Sequence, residues 1–212
     1  MNKKCVMTAV ITSTIAIFSP IVAHAQEAGD WILRARVLGV MPQEDATISG
    51  GVTGSSIDID NSVVPELDIS YFFTKNIAAE LIAATTPHNV HANGTSSGSL
   101  DLGDAWLLPP TLTLQYHFTD FGKCKPYIGA GANYTIFYNE DAGTSITSID
   151  YGNSFGPALQ AGVDYMLDEH WMLNVDLKKI WINTDVKING GSVRADVDIN
   201  PWLVGVGIGY KF

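Results

Sequence analysis

The sequence predicts an all-β protein, an eight-stranded antiparallel transmembrane β-barrel with short turns at one end and four longer loops at the other. Apolar and polar residues alternate in eight segments, each long enough to cross a bilayer as a tilted strand. Charged residues make up only 16% of the chain, yet no continuous apolar run of about 18 residues follows residue 25, which argues against membrane helices. Strands in lipid must close into a barrel, because unpaired backbone groups find no water there.

The clearest alternation lies at the C-terminus, over residues 202–212. The even positions carry apolar side chains, and the odd positions between them are mainly glycine. Aromatic residues stand at both ends of the apolar face, with Trp202 at one end and Tyr210 and Phe212 at the other. An apolar face with an aromatic girdle at each end is typical of a strand whose outer side faces lipid.

Seven further segments show the same alternation more weakly. In the first of them, Leu33, Ala35 and Val37 share one face, and Arg34 and Arg36 share the other. The predicted strands cover residues 30–41, 63–73, 77–86, 104–118, 125–138, 154–167, 170–185 and 202–212.

The connections between these segments are alternately long and short. The short ones, residues 74–76, 119–124 and 168–169, are predicted as periplasmic turns, and the long ones, rich in small polar residues, as extracellular loops. The long connections cover residues 42–62, 87–103, 139–153 and 186–197.

The first 25 residues have the pattern of an export signal. Lys3 and Lys4 precede an apolar stretch over residues 6–22, and residues 23–25 read Ala-His-Ala, a cleavage site. We therefore expect a signal peptide at 1–25 and the barrel at 26–212, in the outer membrane of a Gram-negative bacterium. Without the signal the chain has ten basic and 22 acidic residues, a net charge of −12, which argues against a nucleic-acid partner.

Four stretches of the sequence resemble the outer membrane protein W family. They are residues 65–88 (PELDISYFFTKNIAAELIAATTPH), 107–118 (LLPPTLTLQYHF), 125–137 (KPYIGAGANYTIF) and 201–212 (PWLVGVGIGYKF). The resemblance implies an eight-stranded barrel with a narrow, partly hydrophobic channel for small hydrophobic molecules. In one member of this family a lumen-facing Trp on the seventh strand narrows the channel, but Lys178 stands at the aligned position, so we do not expect that constriction here. The terminal Phe212 resembles the signal by which such barrels meet the barrel-assembly machinery.

The inward positions divide the predicted lumen into two halves. Eight strands leave room for their own side chains or for one small ligand. We expect a polar plug in the periplasmic half, formed by Arg34, Arg36, Glu80, Asp164, Asp176 and Lys178. Buried charges need partners in any case, so a purely structural role for them is the alternative. We expect a pocket for a small hydrophobic ligand in the external half, lined by Leu38, Val40, Ile82, Leu107, Phe137, Ile180, Ile182 and Leu203.

Two charged positions and two prolines do not fit this simple division. Glu66 and Asp68 are inward positions that the strand direction assigns to the apolar external half.

Pro109 and Pro110 lie deep within the fourth predicted strand, where each lacks the N–H group that a sheet requires. We predict a weak lateral seam there, through which an apolar ligand leaves sideways into the membrane. The alternative is a simple bulge at the barrel rim.

Other functions are less well supported by the sequence. Catalysis would have to use His88 and His91 with Asp101, Asp104 and Ser96 or Ser97, in a predicted loop, so we expect no enzyme and no cofactor. His88 and His91 lack further nearby ligands, so we also expect no metal site. The main alternative is a structural or adhesive surface barrel, or a receptor, that acts through its acidic extracellular loops. Membrane lipid and lipopolysaccharide are the expected surroundings in either case.

Overall fold

The computed structural model describes residues 26–49, 56–95, 98–144 and 146–212, so the predicted signal peptide lies outside the described residues. No helix in these ranges is long and apolar enough to cross a membrane. In the part of the chain that the structure describes, one 3₁₀ turn, Asn189–Gly191, interrupts the β-structure. The strands of the described residues are, in chain order, β1 (Trp31–Met41), β2 (Asp45–Ser49), β3 (Ser56–Ile59), β4 (Ser62–Phe72), β5 (Ile77–Ala84), β6 (Thr86–Thr95), β7 (Gly98–Leu108), β8 (Thr111–His117), β9 (Cys124–Ala142), β10 (Ile149–Tyr151), β11 (Ser154–Met166), β12 (Trp171–Ile180), β13 (Asn183–Ile188), β14 (Val193–Asp198) and β15 (Trp202–Lys211).

Eight of these strands form a closed antiparallel barrel in the order β1-β4-β5-β8-β9-β11-β12-β15. The first and last strands pair along their whole length, from Ile32 opposite Lys211 to Met41 opposite Trp202. Pairing of β9 with β11 completes the ring. The predicted eight-stranded barrel is therefore confirmed, and closure leaves none of its strands with a free edge.

Burial follows the alternation that the sequence predicts. On β1, the side chains of Ile32 and Arg34 are buried, whereas Leu33 and Val37 on the outer face are 43% and 57% exposed. The same contrast recurs on every barrel strand, and Phe155 on β11 is 76% exposed. Such a continuous apolar outer surface is unfavourable in water, so it is suited to contact with lipid.

Aromatic residues gather at the end of the barrel where the first described residues, the C-terminus and the short turns lie. The rings of Trp31 and Tyr71 are 4.8 Å apart, and those of Tyr210 and Phe212 are 4.9 Å apart. These contacts form the girdle expected at the periplasmic interface.

The long connections differ from the prediction, because most of their described residues form strands rather than loops. One sheet consists of the upper part of β9 with β7, β6 and β3, and the other has the order β10-β13-β14-β2. The alternation simply continues beyond the barrel: His88, Val90 and Ala92 are buried on β6, just as Ile82 and Ala84 are buried on β5. We call these two sheets together the external tier.

Two predicted strands are each divided in two. The segment 104–118 becomes β7 and β8, and the segment 170–185 becomes β12 and β13. Pro109 and Pro110 cause the first break, because neither can donate a backbone hydrogen bond to the ladder.

Candidate functional site

The periplasmic half of the lumen is filled by hydrogen-bonded charges, with Arg34 on β1 at the centre. Its Nε and Nη2 donate to the two carboxylate oxygens of Asp164 at 3.1 and 2.7 Å. Its Nη1 donates to Asp68 at 3.0 Å and to the Ser70 hydroxyl at 2.8 Å. All four side chains are buried, so the bidentate pair crosses the lumen without water between its members.

Arg36 lies one step higher on the same face of β1. Its Nη1 donates to Glu66 at 2.8 Å and lies 2.7 Å from Asp68 Oδ2, and its Nη2 donates to Glu80 at 3.2 Å. Lys178 on β12 donates to both oxygens of Glu66, at 2.7 and 2.8 Å. Each cation thus joins carboxylates from different strands, which ties the wall together across the lumen.

Glu66 and Asp68 belong to this network, so their assignment to the apolar external half is wrong. The register of β4 against β1 places Asp68 opposite Arg34 and Glu66 opposite Arg36. Sequence numbering alone could not reveal this, because the stagger between neighbouring barrel strands shifts their levels. The plug therefore contains the cations Arg34, Arg36 and Lys178 and the carboxylates Glu66, Asp68, Glu80, Asp164 and Asp176.

Tyr127 on β9 is a member of the plug that the sequence analysis missed. Its hydroxyl donates to Asp176 at 2.6 Å and accepts from Asn174 at 3.0 Å. The Arg34 guanidinium lies 5.6 Å from the centre of its ring. Position 127 has the same parity as the inward Gly129, and this signal could have identified it.

Above the plug lies an apolar cavity that we call the lower chamber. Seven of the eight residues predicted for ligand binding line it, and Glu66 and Lys178 are part of its lining as well. Its free volume is about 30 Å³, room for about two water molecules. Its lining consists of Leu38, Val40, Pro42, Glu66, Ile82, Ala84, Thr86, His88, Leu107, Pro109, Thr111, Lys178, Ile180, Ile182, Ile199, Pro201 and Leu203.

A second cavity, the upper chamber, lies between the two sheets of the external tier. Phe137, the eighth predicted residue, lines this chamber and stacks on Tyr151 with ring centres 5.3 Å apart. The free volume is again about 30 Å³. The upper chamber is lined by Ile59, His88, Val90, Leu102, Ala105, Leu107, Phe137, Ile149, Tyr151, Thr184, Val186, Ile188, Val197 and Ile199.

His88 stands at the junction, because it lines both chambers together with Leu107 and Ile199. Its Nδ1 is 3.0 Å from the backbone oxygen of Asp60. Burial lowers the pKa of His88, against the raising effect of the Asp60 carbonyl, so the ring is neutral at pH 7. From the sequence, His88 was considered only for catalysis or metal binding, because it falls in the connection predicted over residues 87–103.

The two external histidines do not form a joint site. His88 is buried with its ring toward the chambers, and His91 lies three residues on, which places it on the opposite face of β6. Ser96 and Ser97 lie outside the described residues. Within the ranges described, no group of three or more His, Cys, Asp or Glu side chains is arranged to hold a metal ion.

Pairing between neighbouring strands is interrupted beside the lower chamber. Ile82 pairs with Thr111, and the next pair joins Thr86 to Leu107. No ladder pair is formed between residues 83–85 and 108–110. On the other side of this segment, the backbone N–H of Tyr134 on β9 donates to the Pro110 carbonyl at 3.0 Å. The wall of the chamber is therefore held by fewer backbone hydrogen bonds here than along β1 and β15.

The sequence matches the model of the OmpW family over residues 27–212. An uncharacterized outer-membrane protein of Sinorhizobium fredii is 49% identical over 202 residues, which cover 92% of this chain and 87% of that protein. Outer membrane protein W of Vibrio cholerae is 36% identical over 208 residues, 92% and 93% of the two chains. The crystal structure of the outer membrane protein OprG from Pseudomonas aeruginosa aligns with a TM-score of 0.82 and 33% identity, covering 89% of this chain and 98% of OprG.

Proposed function

Because the chain belongs to the OmpW family of outer-membrane barrels, we propose that it takes up small hydrophobic molecules in the external half of its lumen and passes them into the membrane. One observation carries the proposal. A single apolar cluster extends from Leu38 and Leu203 in the barrel to Val186 and Ile188 in the external tier. Lumen-facing residues of membrane barrels are usually polar, so an apolar interior of this length is suited to an apolar guest.

A guest cannot continue straight through the barrel, because the plug fills the periplasmic half. Arg34 and Asp164 are fully buried and bonded to each other, and opening a path would leave both charges unpaired. Breaking a buried ion pair costs about 3–5 kcal/mol. The exit we propose is sideways, through the interrupted pairing at Pro109 and Pro110, which line or adjoin the lower chamber.

The free volume of each chamber is small, so a guest has to push the walls apart. About 30 Å³ per chamber is much less than a drug-sized ligand needs, roughly 300 Å³ or more. The two sheets of the external tier meet through apolar side chains, and no ion pair of the described residues links them across the chambers. Separation of these sheets is therefore the movement that we expect to admit a guest.

The test compares the wild-type protein with the double variant Pro109→Ala/Pro110→Ala. Alanine supplies the two missing N–H donors, so the seam should pair more tightly and the release of guests into lipid should slow several-fold. The rate is measured as the entry of naphthalene, followed by its fluorescence, into vesicles whose outer leaflet is lipopolysaccharide. Pro157→Ala on β11 is the matched control, because Pro157 lies in a strand that is paired on both sides.

An unchanged rate in the double variant would reject lateral release. If the wild-type protein neither bound naphthalene nor accelerated its entry, the alternative of a structural, adhesive or receptor barrel would be favoured instead.

We also propose two partners at the membrane. Phe212 is exposed at the periplasmic rim, which suits recognition by the barrel-assembly machinery. Lys179 lies at the external rim with its ammonium 5.1 Å from the centre of the Trp202 ring, which suits a phosphate of lipopolysaccharide. Deleting Phe212 should lower the amount of barrel in isolated outer membranes, and Lys179→Met should weaken binding of lipopolysaccharide. An unchanged amount or affinity would reject the respective proposal.

A further inference from the structure

The polar groups around the lower chamber share one property, which bears on the chemical class of its guest. Where the structure shows their hydrogen bonds, these groups use their donors on the protein, and three of them keep unused acceptor positions. This is seen for three side chains that line the lower chamber: Glu66, Thr111 and His88.

Glu66 has an acceptor position left. Its Oε1 accepts from Arg36 at 2.8 Å and from Lys178 at 2.7 Å, and its Oε2 accepts only from Lys178, at 2.8 Å. A carboxylate has about four acceptor positions, so roughly one remains, on Oε2. Lys178 offers no matching donor, because its ammonium has three carboxylate oxygens within 3.0 Å, two from Glu66 and one from Asp176.

Thr111 and His88 add two more acceptors. The Thr111 hydroxyl donates its only proton to the Pro109 carbonyl at 3.0 Å, which leaves its oxygen lone pairs. The Nδ1 of His88 is 3.0 Å from the Asp60 carbonyl oxygen, which can only accept. Nδ1 must therefore carry the proton, and in the neutral ring Nε2 is the acceptor.

The net charge of the plug below the chamber also favours a guest with a cationic or donor head over one with an anionic head. The plug contains three cations and five carboxylates. An anion bound next to Glu66 would be repelled by its negative charge, and the low dielectric constant of the buried site strengthens this repulsion. A cation or a neutral hydrogen-bond donor would be attracted.

We propose that the lower chamber selects small amphiphiles whose single polar head is a hydrogen-bond donor, with a primary ammonium preferred over a hydroxyl and a carboxylate excluded. The head binds to Glu66 at the floor, assisted by Thr111, and the apolar tail points up along Leu107 toward the upper chamber. This inference rests on the proposed function, since it names the guest of the same chamber.

The experiment uses three probes with the same six-carbon tail: hexylamine, hexan-1-ol and hexanoate. Each is titrated calorimetrically into the full-length barrel in phosphatidylcholine nanodiscs, and the heat of partitioning into empty nanodiscs is subtracted. Hexylamine should bind at least about tenfold more tightly than hexanoate, because like charges at an interface are strongly disfavoured. Hexan-1-ol should fall between them. Equal affinities, or tighter binding of hexanoate, would overturn the inference.

Two variants locate the selectivity. Glu66→Gln keeps the shape of the floor but replaces the anionic acceptor with an amide, so the preference for hexylamine over hexanoate should fall by about tenfold. Asp164→Asn removes the same charge deeper in the plug without touching the chamber, so most of the preference should remain. An equal fall in both variants would show that net charge, rather than Glu66, decides selectivity, and would overturn the assignment.

Folding of each variant is checked by circular dichroism and by heat-dependent mobility in electrophoresis. Thr111→Val offers a second route if Glu66→Gln does not fold, because it removes an acceptor without altering any ion pair, and it should weaken hexan-1-ol more than hexane. No difference there would count against the inference. Failure of all three probes to bind the wild-type protein would reject the proposed function itself, whereas binding without the predicted order rejects only this inference.

Discussion

Buried charges in the lumen are balanced by direct pairing between strands that are far apart in the sequence. Arg34 bonds to Asp164, 130 residues away, and to Asp68 on the neighbouring strand. An unpaired charge in this position would be very costly, since neither water nor lipid can solvate it there. Removing one member of the plug therefore leaves a buried charge with fewer partners or none.

Replacing Arg34 with methionine should destabilise the barrel by about 3–5 kcal/mol, because Asp164 loses its ion-pair partner and Asp68 loses one of two. Unfolding by urea in phospholipid vesicles, followed by tryptophan fluorescence, measures the change. Lys75→Met in an exposed periplasmic turn is the control and should change the stability by less than about 0.5 kcal/mol. A similarly small effect of Arg34→Met would contradict the structural role of the plug.

A second prediction at this scale concerns Asp168 in the turn between β11 and β12. Its Oδ1 accepts from the backbone N–H groups of Trp171 at 2.7 Å and His170 at 2.8 Å, and these bonds lower the pKa of Asp168. A lowered folded-state pKa means that the carboxylate stabilises the fold above its unfolded pKa, about 3.9, and that the benefit is lost as the pH falls through the folded value.

The variant Asp168→Ala should therefore be less stable than the wild type at pH 7, and the difference should shrink as the pH falls below about 4. Urea unfolding at a series of pH values measures it. A difference that stays constant down to pH 2 would contradict this account.

At the scale of single strands, close backbone approach matters more than residue propensity. A Cβ atom added at Gly207 on β15 would lie 2.0 Å from the backbone oxygen of Ala35 on β1. Neither strand can move away without breaking its own ladder. Gly39 on β1 differs, since a Cβ there would meet the nearest atom, the Val204 oxygen, at an ordinary 3.7 Å.

Gly207→Ala should thus weaken the β1–β15 pairing and destabilise the barrel by about 1–3 kcal/mol, the usual cost of overpacking. Gly39→Ala serves as the matched control on the paired strand and should be tolerated. The fraction that migrates as folded barrel in unheated samples, together with urea unfolding, reports both effects. Equal stability of the two variants would show that the strands can adjust.

For the whole molecule, the apolar interior is continuous, whereas the hydrogen-bonded ladders are not. The barrel closes through its own eight strands, and the sheet β10-β13-β14-β2 pairs only within itself. Its attachment to the barrel depends on the chain connections, on isolated hydrogen bonds such as that from the Asn183 N–H to the Ser154 hydroxyl of β11 at 3.0 Å, and on apolar contacts of residues such as Val186 and Val197. The external tier should therefore open more easily than the barrel, which is what admission of a guest requires.

Val186→Asp should destabilise the external tier but not the barrel, because it places an unpaired charge in the apolar interior of the external tier. We expect trypsin and proteinase K to cleave the external tier faster, while the barrel stays folded and protected in its membrane. The neighbouring Asp185→Asn, on the outer face, is the control. Loss of the entire barrel, or no change in cleavage, would contradict independent opening of the tier.

Much of the fold could be predicted from residue order alone. Alternation with a period of two is a local property, so the inward position of Arg34 and the outward position of Leu33 follow from the sequence once one face is known to be apolar. The family predicted from the resemblance is confirmed by the match over residues 27–212. The outer-membrane location predicted from the export signal and the strands is confirmed by relatives that are outer-membrane proteins. The signal peptide at 1–25 stays a prediction.

The sequence by itself determined which side chains face the lumen, and the tertiary structure alone decided at which height along the barrel axis each one lies. These heights depend on the stagger between strands, a property of the closed ring that no single strand encodes. For this reason Glu66 and Asp68 were assigned to the wrong half, although their inward direction was right. The external tier was missed for a related reason: its strands are stabilised by the facing sheet, which brings together segments such as 86–95 and 183–188 from distant parts of the chain.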